Sequence, residues 1–77
     1  MFNLLDAEVE KPYKVKEINV IDDDEIQQFL FRLGCYPGES ITLITKKRKT
    51  CIVVIKNARY AIDNKLASLI ILEESEK

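Results

Sequence analysis

The stretch Leu33-Gly34-Cys35-Tyr36-Pro37-Gly38-Glu39-Ser40-Ile41 holds both glycines and one of the two prolines of this 77-residue chain. Its spacing, L-G-x-x-P-G-x-x-I, describes a corner between a helix and a strand. Gly34 follows an apolar helical stripe, where a left-handed C-terminal cap falls and a residue without Cβ meets no steric cost. Pro37 forbids continuation of the helix and presets φ for the second position of a turn. Gly38 then supplies the positive φ that a type II turn needs next. Ile41 opens the core face of the strand beyond.

Reading upstream, Ile26, Phe29, Leu30 and Leu33 recur at helical spacing and predict a helix over about residues 24–33 with those four as its buried face. Asp22, Asp23 and Asp24 offer an N-cap and negative charge at the positive end of the helix dipole. Before the helix, residues 2–5 read as a short first strand and Pro12 as a turn. Residues 13–20 alternate in two phases: Tyr13 and Val15 share one face, while Ile18 and Val20 have the opposite parity. A β-bulge near Lys16-Glu17 accounts for the slip.

Downstream, residues 40–46 and 51–56 read as strands joined by a polar hairpin loop at residues 47–50. The run Cys51-Ile52-Val53-Val54-Ile55 is apolar on both parities, as in a strand covered on both faces. A turn at Asn57-Ala58 leads to a short strand, Arg59-Tyr60-Ala61-Ile62. Asp63 caps a single helical turn over about residues 64–67, and residues 69–72 close the sheet. Many short strands with one inserted helix define a mainly β chain, a small β-barrel or curled sheet. Strands this apolar disfavour two exposed sheet edges. A single domain over residues 1–77 is expected, with residues 72–77 as a frayed tail.

Twelve basic residues face thirteen acidic ones. A net charge of −1 gives no general attraction to nucleic acid or to an anionic membrane. The charges are nevertheless segregated: Lys46, Lys47, Arg48, Lys49, Lys56 and Arg59 are uninterrupted by acid, whereas acids gather at Asp22-Asp23-Asp24-Glu25 and Glu73-Glu74-Ser75-Glu76. Four basic residues on a hairpin tip read first as a solvated turn. No apolar run approaches the roughly 18–20 residues that span a bilayer. The N-terminus lacks a signal-peptide pattern. A cytoplasmic chain with reduced thiols is expected, without direct membrane insertion.

The L-G-x-x-P-G-x-x-I corner resembles the signature of the FeoA family of ferrous iron transport proteins. The likeness extends to Tyr60-Ala61-Ile62-Asp63-Asn64-Lys65-Leu66-Ala67-Ser68-Leu69-Ile70-Ile71-Leu72, similar to that family's closing strand, short helix with a buried Ala (here Ala67) and final strand carrying an Ile (here Ile70). The chain departs from the family's habit at Lys11-Pro12, where Gly is frequent, and in the Lys47-Arg48-Lys49-Thr50 hairpin. It departs again at Asp63, where Arg is frequent. The resemblance implies an SH3-like barrel on the cytosolic side of FeoB, a membrane protein that imports ferrous iron and carries a GTP-binding domain. It implies an accessory or regulatory role exercised by protein–protein contact. Iron-dependent repressors carry a similar domain, so a free-standing interaction domain of such a regulator is the alternative. Self-association is left open by the sequence.

Catalysis is disfavoured: the chain has no histidine and no Gly-rich phosphate loop. No cofactor is called for. Cys35 and Cys51 are weak metal-ligand candidates, sixteen positions apart and without a His partner. Cys51 reads as a small core residue and Cys35, at the corner, as nearer the surface. A weak transition-metal-binding protein is therefore a minor alternative. Phe31 lies off the helical stripe, Tyr36 lies in the corner and Arg32 lies between them. These three are the expected partner-contact residues. Leu33, Gly34, Pro37, Gly38, Ile41, Ala67 and Ile70 are expected to serve structure alone.

Overall fold

The computed structural model describes residues 2–20 and 23–73. Five antiparallel strands form one sheet: β1 (Pro12–Ile18), β2 (Ser40–Lys46), β3 (Thr50–Ile55), β4 (Ala58–Asp63) and β5 (Ile70–Glu73), in the order β4-β3-β2-β1-β5. Helix α1 (Asp24–Arg32) connects β1 to β2, and the single turn α2 (Asn64–Ala67) connects β4 to β5.

Strand β1 shows the expected alternation, with Tyr13 and Val15 buried. Its pairing with β5 slips between Val15 and Glu17, so the bulge falls where the change of parity placed it. A second slip, between Leu43 and Thr45 in the pairing of β2 with β3, is an addition to the expected pattern; it falls where the alternation breaks at the consecutive apolar residues Leu43 and Ile44. Both irregularities bend their strands and let a short sheet curl. Val15, Ile41, Leu43, Val53, Ile55 and Ile70, each at most 1% exposed, line the inside of that curl. Burying each such side chain is worth about 1.5–3 kcal/mol.

Residues 2–5 are not a strand. Asn3 makes a capping box with Asp6, accepting from Leu5 N–H at 2.8 Å while its own N–H donates to Asp6 at 3.1 Å. These local bonds wind Leu4–Asp6 into a 3-10 turn and leave Asn3 a lone bridge to Ile71. Pro12 opens β1 opposite Thr42; the turn comes earlier, at Val9 and Glu10, where Glu10 has a φ of 64°. Residues 19 and 20 lie past the end of β1. The β3–β4 turn is Lys56-Asn57, one residue ahead of its expected place, with φ values of 51° and 67°. That is a two-residue type I′ hairpin, whose twist suits the flanking strands. Strand β5 runs through Glu73, two residues into the expected tail; residues 74–77, like Asp22, lie outside the described residues.

The sheet manages its edges unequally. Beyond β5, Asn3 bridges Ile71 and Leu72 N–H donates to the Phe2 carbonyl at 2.8 Å. Beyond β4, no strand pairs among the described residues.

Candidate functional site

The corner is built as its spacing requires. Leu33 caps α1, and Gly34 follows at φ 94°. Cys35 N–H donates to the Leu30 carbonyl and Gly34 N–H to the Phe31 carbonyl, both at 2.9 Å. These two bonds are a Schellman motif. Leu30 and Cys35, the positions between which that motif places its apolar contact, are both wholly buried in one core cluster. Cys35 is therefore a core residue, not the surface residue expected of a corner position, because the motif turns it inward. The Tyr36 carbonyl then accepts from Glu39 N–H at 3.1 Å across Pro37 and Gly38, with Gly38 at φ 94°, which is the expected type II turn.

At the other end of α1, Asp23 is the N-cap and accepts from Ile26 N–H at 3.2 Å. Of the four residues expected on the buried face, only Leu30 is fully buried; Ile26 and Leu33 are half-buried. Phe29 is 41% exposed, contrary to its place in the stripe. A helix anchored by one central leucine buries a narrow strip, and Phe29 lies at its margin.

Phe31 is equally exposed, at 41%. Its ring meets Tyr36 edge to face, with centroids 6.0 Å apart and planes at 85°. Lys56 reaches this pair from the β3–β4 turn, its Nζ 5.4 Å from the Tyr36 ring centroid and 3.2 Å from the Glu39 carboxylate. Hydrogen bonding with Tyr36, and then with Glu39, raises the Lys56 pKa above its ordinary value. The stem of the same side chain lies over Gly34, 3.0 Å from where a Cβ would stand. Phe31, Tyr36, Lys56 and Glu39 thus form one connected surface, with Arg32 exposed beside Phe31. Sequence spacing marked Phe31, Arg32 and Tyr36. It gave no signal for Lys56, which arrives from a hairpin twenty residues downstream of Tyr36.

Cys35 and Cys51 are both free and wholly buried. Burial pushes the Cys35 thiol up to about 12. Burial raises Cys51 too, against a smaller lowering by Lys46. Both shifts favour the neutral thiol over the thiolate, the form that binds a metal ion. Among the described residues, no three His, Cys, Asp or Glu side chains stand close enough together to hold a metal ion.

The basic hairpin tip is held from below. Asn64 donates through Nδ2 to the Lys47 and Arg48 carbonyls at 3.2 and 3.1 Å, and through its backbone N–H to the Lys49 carbonyl at 2.9 Å. Asp63, where the resembling family favours Arg, caps α2 by accepting from Lys65 N–H at 2.8 Å.

A curled five-stranded antiparallel sheet whose last two strands are linked by one helical turn is an SH3-like barrel. Solved structures share it. Iron(II) transport protein A of Clostridium thermocellum superposes with a TM-score of 0.83 at 23% identity, over 94% of this chain and 44% of that one. FeoA of Stenotrophomonas maltophilia, solved with zinc and described as a prokaryotic SH3 domain protein, gives 0.82 at 18% identity, over 95% and 91%. ScaR with bound zinc ion gives 0.81 at 16% identity, over 97% of this chain and 37% of its own. The chain thus spans less than half the length of two of these proteins. Residues 2–74 match the FeoA domain, and the chain belongs to the FeoA family. No curated protein matches its sequence. Among the described residues, no helix is long and apolar enough to cross a membrane.

Proposed function

We propose that this chain is an accessory or regulatory component of ferrous iron uptake, acting from the cytosolic side by contact with a FeoB-like transporter. Family membership supports the iron-transport part of the reading. The contact part is supported by one observation: Phe31, a large aromatic residue, stands exposed and is held edge-on by Tyr36 rather than packed into the core. Ordered aromatics flanked by cations are the anchors that carry binding energy in protein interfaces. Arg32 and Lys56 supply the cations. The test is co-purification with the transporter's cytosolic portion, with and without guanine nucleotide. Phe31→Ala and Tyr36→Ala should each weaken capture about tenfold or more, a loss in the range of interface anchors, while the melting temperature changes little. Full capture by both variants, or loss of fold in both, would reject this face.

A second reading follows from the likeness to ScaR, in which the same fold is 37% of a longer chain. On that reading this chain would be a free-standing interaction domain that binds proline-rich or other peptide segments inside a regulatory complex. Failure to capture the transporter portion under any nucleotide condition favours that reading.

A further inference from the structure

We propose that the free edge of β4 is a self-association surface, on which a second copy of this chain adds its own β4 antiparallel across a two-fold axis at Ala61. The edge is regular. Strand β4 pairs with β3 from Ala58 to Asp63 without a slip. It carries no proline, and no strand covers its far side among the described residues. The opposite end of the sheet, by contrast, is bridged by Phe2 and Asn3.

The hairpin fixes which groups face outward. Ile55 and Ala58 flank the two-residue turn and form the hydrogen-bonded pair that closes it. Ala58, Tyr60 and Ile62 therefore spend their backbone groups on β3. The next residue of that parity, Asn64, continues the rule by donating its N–H to the Lys49 carbonyl. By the same alternation Arg59 and Ala61 point their N–H and C=O groups away from the sheet, as Asp63 points its N–H, the Asp63 carbonyl being turned to α2 as its N-cap; all three side chains, which share a face, are exposed.

Two copies related by a two-fold axis normal to the sheet keep that face in common, so residues of equal parity must oppose one another. One register uses all three outward residues of each copy. It sets Ala61 against Ala61 of the second copy, and Arg59 against Asp63 in both directions. Each arginine meets one aspartate, making two such pairs across the dimer, and the small alanine sits on the axis. Centring the axis on Arg59 opposes two guanidinium groups, and centring it on Asp63 opposes two carboxylates. Charge complementarity thus selects one occupant and one register.

Two measurements test this on the full chain. The first is sedimentation equilibrium from micromolar to millimolar concentration. The wild-type chain should show reversible dimerisation, and Arg59→Glu should weaken it about tenfold by replacing two attractive cross-strand pairs with two repulsive ones. Ala61→Pro should abolish it while leaving the fold intact, because the lost N–H belongs to the free edge. The second is oxidative cross-linking. In the proposed register the two Ala61 Cα atoms lie about 5.5 Å apart, within reach of a disulfide. The two Arg59 positions lie about 14 Å apart. Ala61→Cys should form a covalent dimer and Arg59→Cys should not; the native cysteines are buried. A wild-type chain that stays monomeric at millimolar concentration, association indifferent to Arg59→Glu, or equal cross-linking at both positions would overturn the proposal.

Discussion

Gly34 and Gly38 share a φ of 94° but not a setting. A Cβ on Gly34 would stand 3.0 Å from the Lys56 stem and 3.2 Å from the Ile55 side chain; one on Gly38 would meet nothing within 4 Å. Gly34→Ala should therefore cost about 1–3 kcal/mol, from backbone strain together with crowding. Gly38→Ala should cost only the strain of the left-handed backbone, about 1 kcal/mol. Chemical denaturation of the two variants checks the order, and equal losses would contradict it. Cys35 makes a second prediction at this scale. Its folded pKa is raised, so the stability it contributes is present below the ordinary value of 9.0 and is lost as pH climbs from there toward about 12. Near pH 10 the wild-type chain should have lost about 1 kcal/mol through this thiol. Cys35→Ala should lack that part of the alkaline slope. Denaturation melts at neutral and alkaline pH measure the difference.

The elements show where a sequence pattern speaks and where it falls silent. The apolar period of α1 placed the helix, but period alone does not say how wide a strip a short helix buries. Leu30→Ala should cost about 2–5 kcal/mol, as for a wholly buried leucine. Phe29→Ala, at a residue 41% exposed, should cost clearly less in the same melts. Equal costs would restore Phe29 to the core. At α2, Asp63→Ala removes the cap and should cost about 1 kcal/mol, while Asp63→Asn should cost little. Turn chemistry was legible wherever a residue type forces a backbone state, as at Gly34, Pro37 and Gly38. The 3-10 turn at Leu4–Asp6 was not, because a short apolar run fits a strand as well as a turn. There the capping box between Asn3 and Asp6 decides. The slip between Leu43 and Thr45 does have a mark in the sequence: Leu43 and Ile44 are consecutive apolar residues that break the alternation begun at Ile41, but one such pair in a half-apolar strand does not by itself specify a bulge.

In the whole molecule, the L-G-x-x-P-G-x-x-I corner does two things at once. It turns Cys35 into the core, and it leaves Phe31 and Tyr36 together on the surface. The first role was misread from sequence, since a corner position looks exposed until its Schellman bonds are drawn. The second was legible in part, because Phe31 falls outside the helical stripe. Its completion by Lys56 and Glu39 was not, because that contact exists only once β3 and β4 have paired. The proposed function sets this aromatic face against the iron transporter. The most direct test is a titration of the isotope-labelled chain with the transporter's cytosolic portion, followed by amide chemical shifts. The largest changes should fall on Phe31, Arg32, Tyr36 and Lys56. Changes centred on the basic tip at Lys47, Arg48 and Lys49, or no changes at all, would contradict it.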